Sequence, residues 1–318
     1  MDSGTHAGAV DNPLRRRRAP PNAAARADHR PSKRAGPPPL ERRPHQGRGR
    51  GAHEDPGGLQ EGQDAGGAGA ALRLLEDRVV TDIHLNDLNP GIAAFWRTIT
   101  TRDGAAEFCD LMDATPVTVE QWNHQHRIYM NDEGHDDLTL GFATFFLNRT
   151  NRSGILDARP IGGLDQSGKW PIDARFNKAG LRQRITAIGA HEGRVHVTQA
   201  DGTAFLSSLA PLGDRVLVYA DPPYIEKAHD LYLHAFDADD HRELAQVLRE
   251  APWPWLLTYD DLETIWDGLY ADRRCARFTI PHTAGIQHVG SETIVYGPTL
   301  ALPGDTRVTA NSTARWIG

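Results

Sequence analysis

From Ala65 onward, short apolar runs suited to strands alternate with longer stretches whose apolar positions recur at helical spacing, which predicts an α/β protein. Ala65 to Asp77 is a Gly-rich turn running into a helix, with Ala71, Leu72, Leu74 and Leu75 as its apolar positions. Val79 to Pro90 predicts a strand that stops at Asn86-Asp87, after which Pro90-Gly91 opens a helix carrying Phe95 and Trp96. Val195–Thr198, Val216–Ala220 and Trp255–Tyr259 read as further strands, each followed by acidic or turn residues. Between the last two, Leu244, Val247 and Leu248 have helical spacing, with Asp237 or Asp239 as the N-cap. The strings RFTIPH (Arg277 to His282) and ETIVYG (Glu292 to Gly297) predict a late hairpin.

The rhythm lapses between residues 115 and 185, which are rich in polar and aromatic side chains. Leu147 to Arg184 holds eight bases against three acids, a net of +5. A solvated loop region and an inserted element that touches phosphates both fit that charge.

Composition breaks the chain once more. Residues 1–64 have 12 bases and 8 acids, 9 of the 21 prolines and no aromatic residue. The remainder carries 23 bases against 34 acids. The first segment has too little apolar surface to offset its ordering entropy, so a disordered tail is expected and the folded unit begins near Ala65. The overall charge of −7 argues against a broadly basic nucleic-acid coat, though not against a local basic groove. Two cysteines, Cys109 and Cys275, make no disulfide framework and point to the reducing cytoplasm. No apolar run has the length of a membrane span. No metal is expected either, since His124, His126, His229, His234 and His241 lack a matching carboxylate pattern.

Three places carry candidate chemistry. The first is Ala65-Gly66-Gly67-Ala68-Gly69, whose glycines let a ligand approach the backbone at a helix N-terminus. Asp87, at the end of the next strand, stands where nucleotide-binding α/β folds place a ribose-binding carboxylate; a helix cap or an Asx turn is the rival. The second is Asp221-Pro222-Pro223-Tyr224, directly after the apolar run Val216–Ala220. Two prolines stiffen the turn and remove two donors, so it presents a carboxylate, main-chain carbonyls and an aromatic face. That set suits a planar ring bearing an exocyclic amine. The third is Asp201, which either accepts from a cofactor's adenine amine or caps the helix that follows.

DPPY, AGGAG, LNDLN, FFLNRTNRSGIL, RFN and TYDD, in this order apart from DPPY's later place, resemble the Dam-like family of adenine-specific DNA methyltransferases over about residues 65–300. The resemblance implies a Rossmann-like S-adenosylmethionine-dependent sheet with an inserted, mainly helical target-recognition region at 115–185. The catalytic domain would then comprise 65–114 and 186–318. It implies methyl transfer from S-adenosyl-L-methionine to the N6 amine of adenine in double-stranded DNA, by a monomer. Asp221, Pro222, Pro223 and Tyr224 would hold the target base. Gly66, Gly67, Gly69, Asp87, Asp201 and Asp221 would line the cofactor, and Arg149, Arg152 and Arg175 would contact DNA.

The chain departs from that family before Ala65. GGLQEGQD (Gly57 to Asp64) stands where an apolar first strand is expected, and no Gly-Gly-Lys segment precedes it. A missing central strand, and a reading frame in residues 1–64 different from that of the ancestral domain, are the expectations this raises. Two alternatives follow: a catalytically inactive methyltransferase-like protein that binds DNA, and a Rossmann-type oxidoreductase, for which DPPY has no use.

Overall fold

The computed structural model describes residues 68–225, 236–282, 288–301, 307–309 and 312–317. Gly66, Gly67, His229, His234 and the segment 1–64 lie outside them.

Helix α1 (Ala68–Glu76) buries Ala68, Leu72 and Leu75, one stripe at helical spacing. Strand β1 (Ile83–Asn86) follows, and Asn89 caps α2 (Pro90–Ile99) by accepting from the N–H groups of Gly91 and Ile92 at 2.9 and 3.2 Å. Thr101, Thr118, Asp136 and Asn177 cap α3 (Arg102–Ala114), α4 (Val119–Met130), α5 (Asp137–Thr150) and α6 (Lys178–Gly189) in the same manner. The stretch 115–185 is thus helical at both ends and irregular between Asn151 and Asn177.

It is also continuous with what surrounds it. One apolar cluster joins Leu75, Ile83, Trp96, Phe108 and Met112 to Phe142, Phe146, Phe176, Ile185 and Val195. At its centre α5 is buried from Leu140 to Leu147. A helix apolar all round has no stripe, which is why the sequence rhythm lapses there. Its close packing on α2 depends on two glycines. A Cβ on Gly141 would meet the Phe95 backbone at 2.6 Å, and one on Gly91 would collide with Thr144 Oγ1.

Strand β2 (Val195–Thr198) lies parallel to β1, with Ile83 opposite Val195 and Asn86 opposite Thr198. After α7 (Gly202–Ser208), strand β3 (Val218–Ala220), helix α8 (Ala238–Glu250) and strand β4 (Trp255–Asp260) form a parallel βαβ unit. Asp237 is the N-cap of α8, in a capping box with Asp240. The hairpin spans β5 (Arg274–His282) and β6 (His288–Tyr296), antiparallel. Short strands β7 (Arg307–Thr309) and β8 (Ser312–Thr313) pair with each other, and β9 (Arg315–Ile317) adds to β5. The five-stranded sheet has the order β3-β4-β6-β5-β9. One face, with Trp255, Leu257, Tyr259 and Val295, packs in a cluster with Leu244 and Leu248 of α8.

The chain is therefore α/β, and among the described residues its strands lie in separate sheets of two, five and two rather than in one continuous sheet. In β1 the N–H of Ile83 goes to Arg194 O at 2.9 Å, and that of Asp87 just beyond the strand goes to Thr198 O at 3.2 Å. Alternation turns the main-chain groups of His84 and Asn86 the other way. Likewise the Val218 N–H goes to Pro254 O at 3.0 Å, turning that of Tyr219 away from β4. Among the described residues no strand pairs with either of these outer edges. The cysteines are free and buried, Cys109 in the first cluster and Cys275 in the second. No helix among the described residues is long and apolar enough to cross a membrane.

Candidate active site

The turn after β3 is tied to the neighbouring strand β4. Asp221 follows Ala220 directly, and its Oδ1 accepts a hydrogen bond from Thr258 Oγ1 of β4 at 2.8 Å. Four residues on, the Ile225 N–H reaches Asp260 Oδ1 at 3.4 Å. Glu292 on β6 lies close enough to the Tyr224 hydroxyl for its charge to act on it. Asp260 and Glu292 are opposite each other in the β4–β6 ladder, and both are buried. Asp221, Thr258, Asp260 and Glu292 thus share one sheet face, the one opposite α8.

Asp221 is exposed on its open side and crowded by protein on the others. That crowding pushes its carboxyl up to about 6, against the lowering effect of the Thr258 hydroxyl. Its Oδ2 has no hydrogen-bond partner among the described residues. The prolines explain this. A carboxylate at a strand end ordinarily accepts the N–H two residues on, but here that residue is Pro223, which has none. Pro222 is buried, while Pro223 and Tyr224 are half-buried, with the Tyr224 ring packed against the α8-facing cluster. Burial raises the Tyr224 hydroxyl well above the ordinary tyrosine value, with Asp221 and Glu292 adding to the rise, so it stays a neutral donor.

Asp87 and Asp201 lie beyond the ends of β1 and β2, as the sequence places them, and both are engaged locally. Asp87 Oδ1 accepts from the Asn89 N–H at 2.8 Å, an Asx turn, and burial pushes its carboxyl upward. Asp201 is the exposed N-cap of α7, accepting from the Ala204 N–H at 2.9 Å and the Thr203 hydroxyl at 2.7 Å. Those bonds hold its carboxyl below the ordinary value. Each of the two aspartates keeps Oδ2 without a partner among the described residues. Gly69 is inside α1, and a Cβ there would meet nothing within 4 Å. Of the glycine loop, then, the described residues hold only a helical glycine that has no steric need to be one.

The three arginines separate by environment. Arg149, expected as a DNA contact, is the most enclosed of them. It is buried on α5, where its Nε and Nη2 donate to Arg175 O at 3.1 and 2.8 Å. Arg175 is half-buried and reaches the carbonyls of Asn148 and Asn151 at 3.3 and 3.5 Å. Arg152 is exposed. The irregular stretch they brace also presents Trp170, 61% exposed, with Lys169 Nζ 5.2 Å from its ring centroid. Gln166 stiffens this loop, donating to the carbonyls of Ile161 and Gly163 and accepting from the Ile172 N–H.

Thr258, Glu292 and Trp170 are absent from the sequence-derived set. Thr258 and Asp260 lie in the TYDD string, which shows a motif without a role. Glu292 reads as an ordinary hairpin residue, and nothing but strand register brings it to Tyr224. Among the described residues no group of three or more His, Cys, Asp or Glu is placed to hold a metal. Neither the protein-family models nor the curated proteins searched contain a match to this chain.

Proposed function

We propose that the chain is a site-specific DNA methyltransferase acting on the N6 amine of adenine. The observation that carries the reading is the Asp221–Tyr224 turn: a carboxylate at a parallel-strand end, with one oxygen anchored by Thr258 and the other open. An adenine amine is a poor nucleophile because its lone pair is delocalised into the ring. The open Asp221 oxygen and the Pro222 carbonyl accept from that amine, localising the pair and orienting it. The gain is positioning and electrostatics, with no covalent enzyme intermediate. The base must leave the duplex stack to reach the turn, and Tyr224 offsets part of the lost stacking.

The methyl donor of this reading is S-adenosyl-L-methionine, which supplies an electrophilic methyl group on a sulfonium. The residues present suit its nucleoside: the open oxygens of Asp87 and Asp201 are acceptors for a ribose hydroxyl and an exocyclic amine. DNA contact falls to the basic stretch 147–184, with exposed Arg152 directly available and Arg149 and Arg175 bracing the loops around it.

Incubation with unmethylated genomic DNA and labelled cofactor, followed by mapping of modified adenines, tests the reading. Asp221→Ala is expected to abolish methylation while DNA binding survives. An active Asp221→Ala protein sinks the assignment. A second reading, a catalytically inactive DNA-binding protein, is favoured by one observation: β1–β2 and the five-stranded sheet are separate among the described residues. Cofactor titration by calorimetry separates the two, since only an active enzyme requires a saturable site.

A further inference from the structure

Asp221 belongs to a line of three polar side chains on one sheet face. Tyr219 and Asp221 are two residues apart, and Tyr219 is opposite Leu256, which puts Thr258 on the same face. Thr258 Oγ1 is 2.8 Å from Asp221 Oδ1 and 2.9 Å from the Tyr219 hydroxyl. The direction of these bonds follows from proton counting. An ionised carboxylate only accepts, so Thr258 donates its single proton to Asp221, and the Tyr219 hydroxyl must then donate to Thr258. Thr258 is 7% exposed, so water does not compete for the middle of the line. As a β-branched residue in a strand it also has a restricted rotamer.

We infer that Thr258, oriented by Tyr219, is the positioning residue that keeps Asp221 ionised and aims its second oxygen outward. The catalytic importance of Asp221 rests on the methyltransferase reading above; the control of its carboxyl by two hydroxyls does not. Tyr219 is 37% exposed, and the protein crowding its hydroxyl, with Asp221, raises its pKa, so it remains protonated and able to donate throughout the working range. Among the described residues, the other ionisable groups near this end of the sheet include Tyr224 from the turn, Asp260 of β4, Glu292 of β6 and the Asp261–Arg277 pair.

The test is the titration of Asp221 in the whole chain, read by carbon-13 NMR of labelled aspartate carboxyls, with Asp221→Asn identifying the signal. Thr258→Val is expected to move the midpoint upward by about one pH unit, the equivalent of one hydrogen bond to a charged group. Thr258→Ser should restore it, and Tyr219→Phe should give a smaller shift in the same direction. If Thr258→Val does not fold, the Tyr219→Phe and Thr258→Ser titrations decide the matter. Midpoints unchanged in the variants that fold overturn the inference, whatever the activity.

Methylation against pH gives the second readout. Thr258→Val should lose about tenfold below the wild-type midpoint and recover above its own. An equal loss at every pH would mean a merely structural role and would overturn the inference. Shifted midpoints in a protein that methylates nothing would leave the hydroxyl line standing and sink the methyltransferase reading instead.

Discussion

Asp201 and Asp221 both lie beyond the carboxyl end of a parallel strand, and the same rule of sequence reading picks out both. Their environments are opposite. Asp201 is followed by Gly202, Thr203 and Ala204, whose donors turn it into a helix cap and pull its carboxyl down. Asp221 is followed by Pro222 and Pro223, which have no N–H to offer; its one anchor comes from Thr258 on the next strand, and its carboxyl is pushed up to about 6. A strand-end carboxylate is therefore made available by what its successors cannot donate. The helix α7 that follows Asp201 engages its Oδ1 with local donors, whereas the proline turn gives Asp221 none and leaves its anchoring to Thr258.

The largest expected effect is on the reaction. Asp221→Ala should abolish measurable methylation, a loss beyond the roughly 10²-fold seen when one preorganised polar contact to a reacting group is removed. Asp201→Ala should leave measurable turnover at saturating cofactor. Equal losses would erase the distinction between the two sites. Next comes stability: Asp201→Ala removes an N-cap and should cost about 1 kcal/mol in urea unfolding, while Asp201→Asn, which caps as well, should cost far less.

The pH dependence of folding should have opposite signs at the two positions. Asp221 binds its proton more tightly in the folded chain than in the unfolded one. Its contribution therefore lowers stability as pH rises from its ordinary 3.8 to about 6. Asp201, with its folded value depressed, contributes stability that is present above 3.8 and lost as pH falls through the folded value. Unfolding curves of Asp221→Asn and Asp201→Asn across pH 3 to about 7 check both signs. The smallest effect is the sharpest test of the proline argument. Pro223→Ala returns an N–H within reach of Asp221 and should lower its midpoint by roughly half a pH unit.

Much of the local structure was legible. The strand Val195–Thr198 falls on its predicted residues, the helix opening at Pro90 begins there, and Asp237 is the cap of the two offered, Asp237 and Asp239. Each of these is governed by short-range chemistry: alternation, a proline at a first turn, an acceptor before a helix. The Asx turn at Asp87 and the cap at Asp201 were the bland alternatives for those residues, and the geometry contains both. The enclosure of Arg149 was not legible to charge counting, which treats every base alike. Burial on a helix enclosed by the core, with a carbonyl for a partner, is invisible to it.

Order along the chain alone determined that a rigid proline turn would follow an apolar strand, that the carboxylate at its head would lack local donors, and that helices and strands would alternate around it. Tertiary structure decided which hydroxyl reaches that carboxylate, that Glu292 meets Tyr224, and that the strands divide among separate sheets. The division has a physical cause. Propensities and caps act over a few residues, so they are written locally, whereas hydrogen-bond partners dozens of residues apart are set by register and packing.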